Sequence, residues 1–315
     1  MTYGEIAEIP SKIHIFYEQA FDILFYKHDA SKGMFRREVI CGLPIDDFKD
    51  ILSSVATSGY IREEITHSNT ELISYIRKAK RTFDITKLNP DKYKNDLLKT
   101  VCVLIQDGNK FTYNHRSFQE YFAALFLIKV ESDDKIDLYN AFLQRGAWDN
   151  ALYLVFEINR GAIEQDYIRP TISKMLDAAK GDINELMKIW FSGIRIDTRN
   201  VNNAKGKSWK PYYIVDKPTI EWDFLTFLEK VYCPKNKSSL HGFSKILTKK
   251  KYLDVFSERK ETIQANLRNE EDRELLESLG ITQSVEKRME FLKGLLSKLT
   301  EKGDTLSSKN LKSWL

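Results

Sequence analysis

The residues best placed to do chemistry sit in one stretch, FTYNHRSFQEYFAALFL, residues 111 to 127. An alternating run, Phe111-Thr112-Tyr113-Asn114, meets His115 and turns at once into an apolar helical pattern. An imidazole at such a joint can donate to an anion, and a protonated ring adds charge to that bond. By itself, a lone histidine at a strand end is ordinarily a satisfied surface or core residue. Ser117 stands where it could cap a helix starting near Phe118. Gln119 and Glu120 then fall in the first turn, where a carboxylate suits the helix dipole. Phe118, Tyr121 and Phe122 crowd one side and read as packing residues.

Other candidates are thinner. The polar run from Arg199 to Lys217 carries Lys205, Lys207 and Lys210 among Trp209, Tyr212 and Tyr213. Cations interleaved with aromatics can bind single-stranded nucleic acid or a peptide, though a solvated loop is the commoner use. Gly206-Lys207-Ser208 has the tail of a phosphate-binding loop, but Val201 stands where its first glycine belongs, and no strand leads in. The five histidines show no metal-ligand spacing, and no G-x-S-x-G occurs. Acid pairs such as Asp46-Asp47, Asp133-Asp134 and Glu270-Glu271-Asp272 read as helix starts or solvated charge. No enzyme is expected from these residues alone.

The chain has 315 residues, 42% hydrophobic and 12% aromatic, enough for two or three globular domains. Lys plus Arg number 49 against 45 acids, a net charge of +4 that by itself selects neither nucleic acid nor membrane. The three cysteines, Cys41, Cys102 and Cys233, are far apart, which fits cytosolic thiols and no disulfide framework. No signal peptide or membrane span is evident, so a cytoplasmic protein is expected.

Helical periodicity places helices over 11–29, 45–61, 68–83 and from Pro90 onward. Gly59 is expected to stop the second, and Ser68 with Glu71 has capping-box spacing. Between Val101–Ile105 and Phe111–Asn114, Asp107-Gly108 signals a hairpin. Helices followed by one small hairpin describe a winged helix, here about 31–130. From 131 to 315 the pattern is helical, with glycine stops that suggest stacked pairs, and 197–218 reads as a loop. The expected fold is mostly α: a winged helix with a small β-hairpin, then an all-α array.

The stretch at His115 resembles the motif that ends the winged helix in NACHT-type signalling ATPases, a class that includes animal inflammasome receptors and bacterial antiphage proteins. His115, Ser117, Phe118, Gln119, Glu120, Tyr121, Phe122, Ala123 and Ala124 all match it. Upstream, EIPSKIHIFYEQAFDILFYKHDASKGMFRRE is similar to the family's joint between a helical domain and the winged helix. The resemblance covers residues 5 to 128. It implies that residues 1–30 end a helical domain following a P-loop ATPase core, that this core is supplied upstream or by another chain, and that 131–315 form a helical sensor. It further implies that His115 reaches the β-phosphate of ADP bound, with Mg and ATP chemistry, in that core. This chain alone implies no cofactor. Partners would be the core itself and a protein or phage-derived trigger, with oligomerisation of the activated whole. A free-standing helical adaptor and a winged-helix nucleic-acid binder are the alternatives.

Overall fold

The computed structural model describes residues 12–27, 39–131, 133–145, 149–197, 212–233, 263–278 and 280–308. The chain divides into two compact units, 1–160 and 161–315. It is mostly helical with small antiparallel sheets.

In the first unit, α1 (Ile13–Lys27) precedes α2 (Ile45–Ile61), β1 (Thr66–Ser68) and α3 (Asn69–Thr82). Then come α4 (Pro90–Asn95), which runs into a π-helical turn (Asp96–Thr100), β2 (Leu104–Asp107) and β3 (Lys110–Tyr113). The helices α5 (Arg116–Lys129), α6 (Lys135–Leu143) and α7 (Ala151–Ile158) complete it. The sheet order β1-β3-β2 with these intervening helices is that of a winged helix. Residues 135–158 share this unit.

Local signals account for several of these boundaries. Ser68 caps α3 in a full capping box: Glu71 N–H donates to its hydroxyl at 3.3 Å and Ser68 N–H to Glu71 Oε2 at 2.7 Å. Asn89 caps α4 and Pro90 opens it. The hairpin pairs Asp107 with Lys110, so its turn is Gly108-Asn109, with Gly108 at φ +57°. The core gathers around α2 and α5, with Phe48, Ile51, Leu52, Val55, Phe122 and Leu127 fully buried.

The third helix begins at Asn69 behind its Ser68 cap, as the capping-box spacing predicts. Thr66–Ser68 form a strand that no sequence signal announces, β1, antiparallel to β3 with His67 opposite Phe111; three residues are too few to show a period of two. One expected stop is corrected: Gly59 does not end α2. The helix continues to Ile61, and the residue that closes it in the left-handed region is Glu63, at φ +65°. Gly59 serves a close approach instead: a Cβ there would lie 2.5 Å from His67 Cε1 and 3.0 Å from Gln119 Nε2.

The second unit holds α8 (Arg160–Ile163), which begins at its border and runs into a π-helical turn (Glu164–Ile168), followed by α9 (Arg169–Ala179) and α10 (Ile183–Trp190). After these come β4 (Phe191–Asp197), β5 (Tyr212–Pro218), α11 (Ile220–Tyr232), β6 (Ile263–Asn266), α12 (Glu270–Ser278) and α13 (Ile281–Ser308). The array is therefore not all-α. A second antiparallel sheet, β5-β4-β6, interrupts it, and Tyr212–Pro218 of the expected loop is one of its strands. Gly193 in β4 lies opposite Asn266 where a Cβ would stand 2.5 Å from the Ala265 carbonyl oxygen. Helix α13 is amphipathic, with Val285, Leu292 and Leu299 buried. Among the described residues no helix is long and apolar enough to cross a membrane, and no cluster of His, Cys, Asp and Glu could hold a metal ion.

Candidate functional site

Helix α5 starts two residues earlier than expected, and its cap is His115 rather than Ser117. His115 has extended backbone, and its Nδ1 accepts the Ser117 backbone N–H at 3.4 Å; the Ser117 hydroxyl also meets Nδ1. Ser117 thus lies inside the first turn, where its hydroxyl supports the capping ring. The geometry follows from the strand, which ends at Tyr113 and delivers His115 with the β-region φ/ψ a cap needs. An accepting Nδ1 assigns the proton of the neutral ring to Nε2. The residue is exposed, so its surface carries an N–H donor fixed in direction by the cap.

Next to His115 in the chain, Arg116 opens a charge cluster whose carboxylates Glu120 and Asp149 are buried. Arg116 pairs through Nε with Glu120 Oε1 at 3.0 Å and through its terminal nitrogen with Asp149 Oδ2 at 3.1 Å. Asp149 also accepts the Tyr60 hydroxyl at 2.5 Å and the Ala151 backbone N–H at 2.9 Å. Arg145 adds a second cation: it pairs with Glu63 at 3.0 Å, approaches Asp149 at 3.8 Å, and lies over the Tyr60 ring. Burial, and then the Asp149 charge, raise the Glu120 carboxyl above its ordinary value, against the opposing pull of Arg116. Burial also raises the Tyr60 phenol, with Asp149 adding to the effect. One carboxylate, Asp149, therefore ties the end of α2 and the starts of α5 and α7 together.

The remaining motif residues face inward. Gln119 is buried and its amide donates to the Glu64 carbonyl at 2.8 Å, fastening α5 to the turn after α2. Phe118 and Tyr121 meet Tyr17 of α1 at ring separations of 6.0 and 5.6 Å, and Phe122 meets Phe21 at 4.9 Å. Eight consecutive residues thus divide into an outward donor, a polar clamp and an aromatic dock for α1.

The structure does not assemble the second candidate. Tyr212 and Tyr213 belong to β5, paired with Asp197 and Ile196, and so are not loop residues. Lys205, Lys207, Trp209 and Lys210 lie outside the described residues. Sequence reasoning missed Asp149, Arg145 and Tyr60. They are remote from the motif in the chain, and their only sequence signal is an isolated Asp149-Asn150 before an apolar helix. No family model, no curated protein and no solved structure matches this chain.

Proposed function

We propose that this chain is the regulatory and sensor portion of a NACHT-type signal-transduction NTPase, acting in bacterial antiphage defence. Its winged helix would gate ADP/ATP exchange in a P-loop core supplied by a fused or separate polypeptide. The observation that carries this reading is the setting of His115: exposed, at the N-cap of α5, with Nδ1 engaged and Nε2 left to donate. That donor fits a phosphate oxygen, and the N-terminus of α5 adds positive potential beside it. His115 supplies one contact only; the remaining phosphate and Mg ligands belong to the core. Bound ADP then acts as a latch between core and winged helix. A hydrogen bond to a charged group is worth about 1.5–3 kcal/mol, so its loss shifts a closed/open ratio by about one to two decades. That suffices for a switch.

The test joins this chain to the P-loop polypeptide encoded in frame with it or beside it. ADP retained on purification and resting signalling output are then measured. His115→Leu is expected to lower retained ADP and raise resting output. Unchanged ADP content and unchanged output overturn the latch. If no P-loop polypeptide binds and melting ignores added ADP, the free-standing adaptor reading replaces it.

A further inference from the structure

Next to Gln119, in the space that Gly59 leaves, lies a histidine with no role in the latch. His67 is the middle residue of β1 and is fully buried, and neither ring nitrogen has a hydrogen-bond partner. The Tyr113 hydroxyl, also buried, is likewise unpartnered. Buried polar groups are nearly always bonded, and an unsatisfied one costs about 1–3 kcal/mol. The ring is held by shape. Gly59 of α2 leaves the room it occupies, and Tyr75 of α3 and Tyr113 of β3 present their rings at near right angles, with centroids 5.5 and 6.1 Å away.

The charged groups around it are few. Glu64, in the turn after α2, places Oε2 at 3.9 Å from Nδ1, but that oxygen already accepts the Tyr75 hydroxyl at 2.9 Å. Glu71 of α3 is the second carboxylate acting on the ring, and it is exposed. Arg62, at the end of α2, lies over the outer face of Tyr75. From α5 the neutral Gln119 amide shares with the ring the space that Gly59 leaves, and its own bond goes to the Glu64 carbonyl. Desolvation outweighs the two carboxylates and lowers the imidazole below its ordinary value.

A proton on His67 changes this balance. A charged ring cannot remain between two tyrosines without an acceptor. The carboxylate in reach is that of Glu64, and closing 3.9 Å to an ion-pair distance of about 2.8 Å requires ring and carboxylate to approach by about 1 Å. That movement draws on the residue whose carbonyl holds Gln119. We propose that His67 is a proton-operated joint: protonation pairs it with Glu64 and loosens the tie between the α2–β1 turn and Gln119 of α5. The joint belongs to the winged helix itself and stands whether or not a nucleotide is ever bound.

The sign follows from linkage. The unfolded chain takes up a proton at His67 near the ordinary value of about 6.5, and the folded chain only at lower pH. Between these values the unfolded state binds more protons. The stability contributed by neutral His67 is therefore complete above the unfolded value and is lost as pH falls toward the folded one, by up to about tenfold in the folded/unfolded ratio per pH unit.

The experiment follows the His67 Cε1–H and Gln119 side-chain amide resonances of the whole chain from pH 8 to pH 5, with urea midpoints at each pH. His67 is expected to titrate below 6.5, with the Gln119 amide signals moving on the same curve. The fall in urea midpoint should be shallower in His67→Phe, where every other titrating group is unchanged. Glu64→Gln keeps the carbonyl tie and a neutral acceptor but removes the negative charge that would hold a protonated ring, so His67 should titrate at still lower pH. A Gln119 amide that ignores the His67 titration overturns the proposal, as does an equal pH slope in wild type and His67→Phe. Should the Phe variant fail to fold, the wild-type resonances and Glu64→Gln still decide.

Discussion

His115 carries two duties that a single substitution would confuse. Its Nδ1 caps α5, and its Nε2 is the outward donor. Removing the ring removes both. In this chain alone, His115→Ala should lower stability by about 0.5–2 kcal/mol, the usual cost of losing an N-cap. His115→Asp should recover that loss, because a carboxylate caps as well as any side chain, while offering phosphate a negative charge. Urea denaturation of the two variants separates the duties: equal losses in both would mean that Nδ1 contributes nothing as a cap. The identity of His115 as the residue to watch was legible, since strand alternation, histidine and apolar helix adjoin in the sequence. Its capping role was not. A serine two residues on is the better cap by propensity, and only the place where the strand ends decides which residue holds extended backbone.

At the level of elements, local signals were readable and distant partners were not. The Ser68–Glu71 box, Pro90 at the start of α4 and the Gly108 turn each involve residues within a few positions of one another, and each stands as read. The second sheet depends on β4 meeting β6 across a long stretch of chain, and no period in either strand names its partner. Gly59 shows the same divide. As a residue near a helix end it reads as a stop, yet its use is set by His67 and Gln119 from two other elements. Gly59→Ala should therefore cost about 1–3 kcal/mol through overpacking, more than helix propensity could return. Pairing it with His67→Ala should recover most of that cost, since the ring that the new methyl strikes is then gone. A full double-mutant cycle by urea denaturation measures the coupling, and additive losses would show that the close approach is not the constraint.

Across the molecule, both compact units bury ion pairs. The first has Asp149 with its arginines. In the second, Arg288 of α13 is buried beside Glu229 of α11, with Nε donating to Oε1 at 2.8 Å, and buried Glu164 accepts from Tyr232 at 2.9 Å and from Lys302 at 2.6 Å. Periodicity gave the apolar stripe of α13 but could not reveal a guanidinium inside it, because an arginine between apolar positions ordinarily reaches for water. Breaking such a pair from one side is costly, about 3–5 kcal/mol, since the other charge stays in a dry site. Arg288→Met should thus destabilise the second unit far more than Arg288→Met combined with Glu229→Leu, which replaces both charges by apolar groups. Each unit is compact by itself, so the loss should stay local. Hydrogen exchange followed by mass spectrometry should show amides of α11 and α13 exchanging faster while those of α2 and α5 keep their protection. Equal loss of protection in α2 and α5 would mean that the two cores unfold as one cooperative block, and Arg288 would then be a constraint on the whole chain.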